Sequence, residues 1–257
     1  MNIMKNTNKK YCFLAPRRSG HHAIIEWFSK QLRNDTHFLN DNDHAWGRPI
    51  RFPKIENGKL EYLNNEYKTD IVDIGDKDLI YNYEDRLLSS FNTPEFLDEL
   101  KSNDANIIIL RDPFNLLASR MKHWVEKKPQ LLQNGINLWV EYAEEILGLT
   151  NLIPNRHFIL YNQWFVDANY RKTIVAWFNG VHDDSCMEVV PEWGRGSTFD
   201  GLEYQNKASQ MKVLERYKTI EDKNFLKELI DNPVFYNHTR SIFGEELLNE
   251  IKSYING

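Results

Sequence analysis

Cysteine is scarce in this chain of 257 residues, and its scarcity excludes two kinds of site. The sequence contains only Cys12 and Cys186. Two thiols are too few for a disulfide scaffold or for a four-thiolate zinc site. We therefore expect a protein of the reducing cytoplasm, with Cys12 as a buried thiol inside a strand.

Long apolar runs are also absent. The longest uninterrupted aliphatic run, 107–110, is far too short to span a bilayer. Only a handful of apolar residues follow the polar first ten, which is shorter than a secretory signal requires. No repeat or Pro/Gly/Ser-rich linker divides the chain. We expect one domain over 1–257 without a membrane span, with 1–9 as a flexible tail.

Basic residues are not in excess, since 32 Lys and Arg face 37 Asp and Glu for a net charge of −5. This balance argues against a protein that coats nucleic acid or an anionic membrane. It also argues, at first, against an anionic small ligand. The 41% hydrophobic and 13% aromatic content is ample for a core and excludes overall disorder.

Short apolar runs alternate with helix-like patterns along the chain. Such runs, unbroken by polar residues, are typical of strands covered on both faces, and their alternation with helices predicts an α/β fold with a parallel sheet of about five strands. The predicted strands are 11–15, 37–39, 79–83, 106–110 and 157–161. Ligands of such sheets bind beyond the carboxyl ends of the strands.

The first strand–helix junction, 11–24, carries the clearest signal. A helix start supplies backbone N–H groups and a favourable dipole for an anion. Gly20 allows close approach of the backbone, Ser19 adds a hydroxyl, and Arg17 and Arg18 supply forked donors for an oxyanion. The alternative is an exposed basic turn in which Ser19 only caps the helix.

This junction lacks the Lys-[Ser/Thr] pair of a kinase-type phosphate loop, whose hydroxyl holds magnesium. His21 and His22 occupy those positions. The substitution favours phosphate chemistry that runs without a metal. Adjacent residues of a helix point to different faces, so these histidines predict no metal site either.

The segment 106–120 is the second signal. Arg111 follows the fourth strand, Asp112 can cap the next helix, and Pro113 suits its first turn. Arg111 and Ser119 can converge on one anion. The alternative is that Arg111 pairs with a carboxylate and Ser119 is a small packing residue.

Together these segments resemble the sulfotransferases that use 3′-phosphoadenosine 5′-phosphosulfate (PAPS) and release adenosine 3′,5′-bisphosphate (PAP). That family has a P-[KR]-S-G-T loop for the 5′-phosphosulfate, to which 18–21 is similar, and an R-[DN]-P…S segment for the 3′-phosphate, to which 111–119 is similar. The resemblance implies a fold like that of P-loop NTPases.

Later segments extend the resemblance. The stretch 158–180 is similar to the family's strand and helix ending in F-L-G, and 194–199 is similar to its late glycine-rich loop. The resemblance assigns the following residues to the cofactor: Arg17, Arg18, Ser19, Gly20, His21, His22, Arg111, Ser119, Tyr161, Arg195, Gly196 and Ser197.

The resemblance also implies catalytic roles. Arg18, at the family's Lys or Arg position, stabilises the bridging oxygen of the leaving phosphate; as an arginine it acts electrostatically. Glu84 is the first candidate for the base, and an exposed loop carboxylate is its alternative. The histidines are further candidates because imidazole titrates near neutral pH: His22, His44 and His123.

The acceptor is the least defined partner. The interval 40–80 falls where this family usually builds its acceptor site, and the aromatic-rich composition suggests a carbohydrate hydroxyl, with Trp46 and Trp124 as lining. Two other functions stay open: a nucleotide-dependent kinase on a related fold, and a non-catalytic nucleotide-binding protein. Four arginines fall at loops that are expected to converge, namely Arg17, Arg18, Arg111 and Arg195. The sequence therefore predicts a locally basic cleft on an acidic protein.

Overall fold

The computed structural model describes residues 8–40, 52–63, 68–124, 129–190, 199–201 and 203–257. Its centre is a five-stranded sheet in which every strand pair is parallel, with the order β2-β6-β1-β7-β8. The strands are β1 (Lys10–Ala15), β2 (Thr36–Leu39), β6 (Asp78–Glu84), β7 (Ala105–Leu110) and β8 (Arg156–Leu160). The five predicted strands are confirmed, as is the α/β class.

The central strands are apolar on both faces because helices cover both. Every residue of β7 is buried, as are all but the first of β1 and all but the last of β6. Alternate residues of β1 enter two separate clusters, Cys12 and Leu14 on one face and Tyr11 and Phe13 on the other. This two-sided burial explains the unbroken apolar runs in the sequence.

Helices connect the strands and continue to the end of the chain. They are α1 (His21–Gln31), α2 (Pro94–Lys101), α3 (Pro113–Trp124), α4 (Pro129–Ile146), α5 (Tyr161–Val166), α6 (Ala168–Ala176), α7 (Lys223–Asp231), α8 (Pro233–Phe243) and α9 (Glu245–Asn256). Helix α1 follows β1 and helix α3 follows β7, and each begins beyond the carboxyl end of its strand. They carry the two segments singled out in the sequence.

A second sheet, which the sequence analysis did not predict, is formed by the part of the chain that connects β2 to β6. It is antiparallel and consists of β3 (Lys54–Glu56), β4 (Lys59–Leu63) and β5 (Thr69–Asp73). Exposed and half-buried positions alternate in β5, so one face is open to solvent. Leu60 is buried in the main core and attaches this sheet to the domain.

Among the helices that the structure describes, none combines the length and apolarity needed to cross a bilayer.

Candidate functional site

The loop between β1 and α1 is shaped by two residues with left-handed backbone. Arg18 has φ 73° and Gly20 has φ 82°. A Cβ on Gly20 would lie 2.1 Å from Cε2 of Tyr161, so a side chain has no room there. Gly20 itself precedes the helix without any side-chain cap. The alternative role of Ser19 as a helix cap is therefore wrong.

Buried hydrogen bonds hold this loop in place. The backbone N–H of Arg17 donates to Oδ1 of Asp85, 2.7 Å away, just beyond the end of β6. Arg120, on α3, forms an ion pair with the same carboxylate and donates from Nε to the carbonyl of Arg17 at 3.2 Å. Ser19 is fully buried. The loop is thus a fixed part of the domain, and the alternative of an exposed basic turn is wrong.

Arg111 connects the loop to the end of β7. Its guanidinium is buried and donates to the carbonyls of Arg18, at 3.2 Å, and Val213. It lies 5.0 Å from the ring centroid of Tyr161. The alternative that Arg111 pairs with a carboxylate finds no support in these contacts. Its Nε is buried and has no hydrogen-bond partner within the described ranges.

A second cation, Arg216, lies beside Arg111. Burial lowers the pKa of Arg111 to about 10, and the charge of Arg216 contributes to this lowering. Arg216 donates to Oγ of Ser119 at 3.1 Å and to Asp200 at 2.8 Å. Ser119 is therefore more than a packing residue. Two guanidinium groups and a hydroxyl at one buried place are a suitable set of donors for a phosphate.

The end of the late glycine-rich segment reaches this place. Lys122 donates to the carbonyl of Phe199 at 2.7 Å, and the guanidinium carbon of Arg216 lies 4.6 Å from the Phe199 ring centroid. Phe199, the last residue of the predicted loop 194–199, is thus held against α3, on the face that carries Ser119.

Glu84, at the end of β6, interacts with three cationic or imidazole groups. Its Oε2 accepts from Nε of Arg17 at 2.9 Å. Its Oε1 lies 2.8 Å from Nε2 of His21 and 3.4 Å from Nε2 of His22. The side chain of Glu84 is only 9% exposed, so its reading as an exposed loop carboxylate is wrong.

The two adjacent histidines face the same carboxylate. Their ring centroids are 4.1 Å apart, and the expectation that they point to different faces of the helix is wrong. Both stand in the first turn of α1, where the chain emerges from the left-handed Gly20. Nδ1 of His21 lies 3.4 Å from Oγ of Ser19, and Nε2 of His22 lies 2.9 Å from Oδ1 of Asn40.

Burial and charge shift the titration of this cluster. Burial lowers the pKa of His21, and proximity to His22 lowers it further, so the buried imidazole favours its neutral form. Burial alone raises the pKa of Glu84, but the charges and hydrogen bonds of the two histidines outweigh it and hold that pKa well below its ordinary value. Burial also lowers the pKa of Arg18.

The structure brings together most of the predicted site residues. Those within the described ranges converge beyond the ends of the central strands: Arg17, Arg18, Ser19, Gly20, His21, His22, Glu84, Arg111, Ser119 and Tyr161. Several predictions lie outside the described residues, namely His44, Trp46, Arg195, Gly196 and Ser197, together with the side chains of His123 and Trp124.

Three residues of the site were missed in the sequence. Asp85 and Arg120 form the buried pair that holds the loop, and Arg216 lies in the buried cluster with Arg111 and Ser119. Asp85 directly follows the Glu84 strand and Arg120 directly follows Ser119, so their position was a usable signal. Arg216 lies in a stretch of mixed charge, where nothing in the local pattern distinguishes it.

Comparisons with known proteins agree with this geometry at the level of the fold. No family model matches the chain, and no curated relative does. Among solved structures, the mouse sulfotransferase SULT7A1 complexed with PAP has 13% identity and a TM-score of 0.50, over 96% of this chain and 89% of that one. The sulfotransferase domain from the curacin biosynthetic pathway has 14% identity and a TM-score of 0.40, over 97% and 98%.

The chain therefore has the fold of a sulfotransferase, a single α/β domain around a five-stranded parallel sheet. The fold that the resemblance implied is confirmed.

Proposed function

We propose that the protein transfers a sulfuryl group from PAPS to a hydroxyl of an acceptor. The observation that carries this proposal is the pair of adjacent anion sites beyond the ends of β1 and β7. One is the Gly20 loop at the start of α1, and the other is the buried cluster of Arg111, Arg216 and Ser119. The hydrogen bond from Arg111 to the carbonyl of Arg18 fixes the first relative to the second.

A nucleotide with phosphate groups on both its 5′ and 3′ positions matches two such sites. The loop and the N–H groups of the first turn of α1 would hold the 5′-phosphosulfate. Arg111, Ser119 and Arg216 would hold the 3′-phosphate, for which Arg111 retains a buried Nε without a hydrogen-bond partner among the described residues. A PAP-bound structure with the same fold supports this assignment. Tyr161, which covers Gly20, would limit how the nucleotide enters the loop.

The transfer itself requires positioning and charge stabilisation. The acceptor oxygen attacks sulfur, and the bond from sulfur to the bridging phosphate oxygen breaks, leaving PAP. Arg18 would stabilise the charge that develops on this oxygen, since a guanidinium remains protonated near neutral pH. Arg17, held by Glu84, would add positive charge at the same loop.

The acceptor hydroxyl must give its proton to a base, and the first candidate, Glu84, lies beside one of the further candidates, His22. Glu84 stands at the predicted place, but its low pKa makes it a weak proton acceptor. His22 is less buried and lies 3.4 Å from Glu84. We favour His22 as the base, with Glu84 orienting its ring and stabilising the imidazolium that forms. The small sheet β3–β5, inside the interval 40–80, is the proposed acceptor side.

Calorimetric titration of the full chain with PAP, compared with ATP and magnesium, tests the proposal. We expect saturable binding of PAP and much weaker binding of ATP with magnesium. Failure to bind PAP would exclude the sulfotransferase function, and preference for magnesium ATP would favour a kinase. Binding of PAP without sulfate transfer from PAPS to a panel of sugar, phenol and alcohol acceptors would favour a non-catalytic nucleotide-binding protein.

A further inference from the structure

The first turn of α1 and the end of β6 together form a cluster of metal-ligand type. Nε2 of His21, Nε2 of His22 and a carboxylate oxygen of Glu84 all lie within 4.8 Å of one another. Two imidazoles and one carboxylate are a donor set that Zn²⁺ takes in sites with one open position. We propose that this cluster binds Zn²⁺.

In two of the three ligands, Glu84 and His21, the other polar side-chain atom already has a neighbour. Oε2 of Glu84 accepts from Arg17 at 2.9 Å, which leaves Oε1 directed at the histidines. Nδ1 of His21 lies 3.4 Å from Oγ of Ser19, an acceptor for the Nδ1–H of a zinc-bound imidazole. Partners of this kind fix the tautomer and orientation of metal ligands. Oδ1 of Asn40 lies 2.9 Å from Nε2 of His22, so a further oxygen lies beside that ligand atom.

The surrounding charge selects the kind of cation. Arg17 forms an ion pair with Glu84, and Arg18 and Arg120 add two more positive charges nearby. A site that held a cation by electrostatic attraction alone is therefore unfavourable here. Mg²⁺ and Ca²⁺ prefer sites made of oxygen ligands. Zn²⁺ gains affinity from its bonds to imidazole nitrogen, which Mg²⁺ does not. The cluster should therefore take up Zn²⁺ and leave Mg²⁺ in solution.

Titration of the metal-free full chain with Zn²⁺ in a calorimeter tests this assignment, with Mg²⁺ as the parallel probe. We expect one equivalent of Zn²⁺ and no saturable uptake of Mg²⁺. His22→Ala and Glu84→Gln should each weaken Zn²⁺ binding by at least about tenfold, the lower end of what the loss of a ligand's orienting partner alone costs. His182→Ala is the matched control, because His182 lies 3.3 Å from Asp184 in a different histidine–carboxylate pair, and it should leave the affinity unchanged.

Cobalt provides a second readout that does not depend on heats. Co²⁺ in a tetrahedral nitrogen and oxygen site absorbs visible light strongly, and this band should be lost in His22→Ala, a variant of a half-buried residue that leaves the core intact. Uptake of Zn²⁺ that is equal in His22→Ala and the wild type would overturn the proposal. So would the absence of saturable Zn²⁺ binding in the wild type.

One consequence rests on the proposed function. Zn²⁺ bound to His22 would prevent this proposed base from accepting the proton of the acceptor hydroxyl, so it should inhibit sulfuryl transfer reversibly, with activity restored by a chelator. Because zinc uptake is measured without nucleotide, a failure of the sulfotransferase assay leaves the metal assignment to be judged by its own titration.

Discussion

Gly20 is the residue whose identity the site constrains most tightly. Its φ of 82° is unfavourable for any residue with a side chain, and a Cβ there would meet the ring of Tyr161 at 2.1 Å. We expect Gly20→Ala to lower the free energy of unfolding by more than the roughly 1–2 kcal/mol of left-handed backbone strain alone. It should also abolish PAP binding. Thermal and denaturant unfolding and calorimetry measure the two effects.

Gly148 is the matched control for this substitution. It has φ 71°, but nothing lies within 4 Å of the position of its Cβ. Gly148→Ala should therefore show the backbone cost and nothing more, with PAP affinity retained. Equal destabilisation by both variants would mean that contact with Tyr161 contributes nothing.

Arg216 should distinguish nucleotides with and without a 3′-phosphate. A hydrogen bond to a charged group contributes about 1.5–3 kcal/mol, which corresponds to about 10- to 100-fold in affinity. We expect Arg216→Gln to weaken PAP binding by this factor and to leave adenosine 5′-phosphate nearly unaffected. Arg111→Ala should likewise weaken the binding of PAP more than the binding of adenosine 5′-phosphate.

The exposed Arg240, on α8, supplies the control for lost positive charge. Arg240→Gln should leave the affinities for both nucleotides unchanged. If Arg216→Gln weakened the two nucleotides equally, the 3′-phosphate would have to bind elsewhere.

The residues of the site were predictable where a local pattern marked them. Gly20, Ser19 and Arg111 stand at strand ends followed by helix starts, so their types and positions pointed to an anion site. Arg216 was not predictable, because its role depends on the chain returning to Ser119 after 97 residues. The shared orientation of His21 and His22 is visible only in the contacts of both rings with Glu84, which residue spacing alone does not determine.

Among the elements, α3 and the loop before α1 are joined by the buried pair of Asp85 and Arg120. Asp85 also accepts from the backbone of Arg17, so one carboxylate connects the end of β6, the loop and α3. Removing one partner of a buried ion pair costs about 3–5 kcal/mol. We expect Asp85→Asn to lower the free energy of unfolding by about that amount and to weaken PAP binding, measured by denaturant unfolding and calorimetry.

Two further variants separate this pair from an ordinary surface one. Asp98→Asn removes the partner of Lys101 in a pair that is mostly exposed, and it should change stability by less than about 1 kcal/mol. Combining Asp85→Asn with Arg120→Met should be less harmful than the two single effects added together. Strict additivity would show that the two side chains do not act on each other.

Buried strands could be predicted from the sequence, whereas exposed strands could not. The five strands of the main sheet are covered on both faces, and their apolar runs are visible in the sequence. The small sheet β3–β5 was missed because its residues alternate between exposed and half-buried positions over very short strands. Its strands are recognisable only once their pairing is known.

For the whole molecule, the buried His21 should make stability depend on pH. Its folded pKa lies below its unfolded value of about 6.5, so the unfolded chain binds more protons in the interval between them. Stability should therefore fall as pH drops from 7 towards 5, by at most about 1.4 kcal/mol per pH unit for one proton. Burial is the main cause of the lowered pKa and His22 adds to it, whereas Glu84 and Asp85 act in the opposite direction.

Denaturant unfolding of the wild type and His21→Gln at several pH values measures this effect. The variant should show a flatter dependence between pH 7 and 5. The lowered pKa of Glu84 acts in a separate window, since its contribution is lost only as pH falls below the ordinary carboxyl range. An identical slope in both proteins over pH 7 to 5 would assign the dependence to other groups.

The net charge of the whole molecule did not indicate which charges lie around the loop between β1 and α1. A net charge of −5 coexists with Arg17, Arg18 and Arg111 around one loop. Glu84 and Asp85 lie at the same loop and Arg195 lies outside the described residues, so a locally basic cleft stays a prediction. Overall charge governs solubility and nonspecific contacts, and local arrangement governs which ligand a cleft can bind.

The strand order has a consequence for how the protein matures on the ribosome. β1 is the middle strand, but its two neighbours are β6 and β7, which are synthesised much later. The loop beyond β1 then relies on Asp85, Arg111 and Val213 for its shape. A nascent chain therefore contains the loop after β1 well before the residues that shape it, and the loop can take its final form only after the chain through Val213 has emerged. Until then the apolar strand β1 needs protection from aggregation.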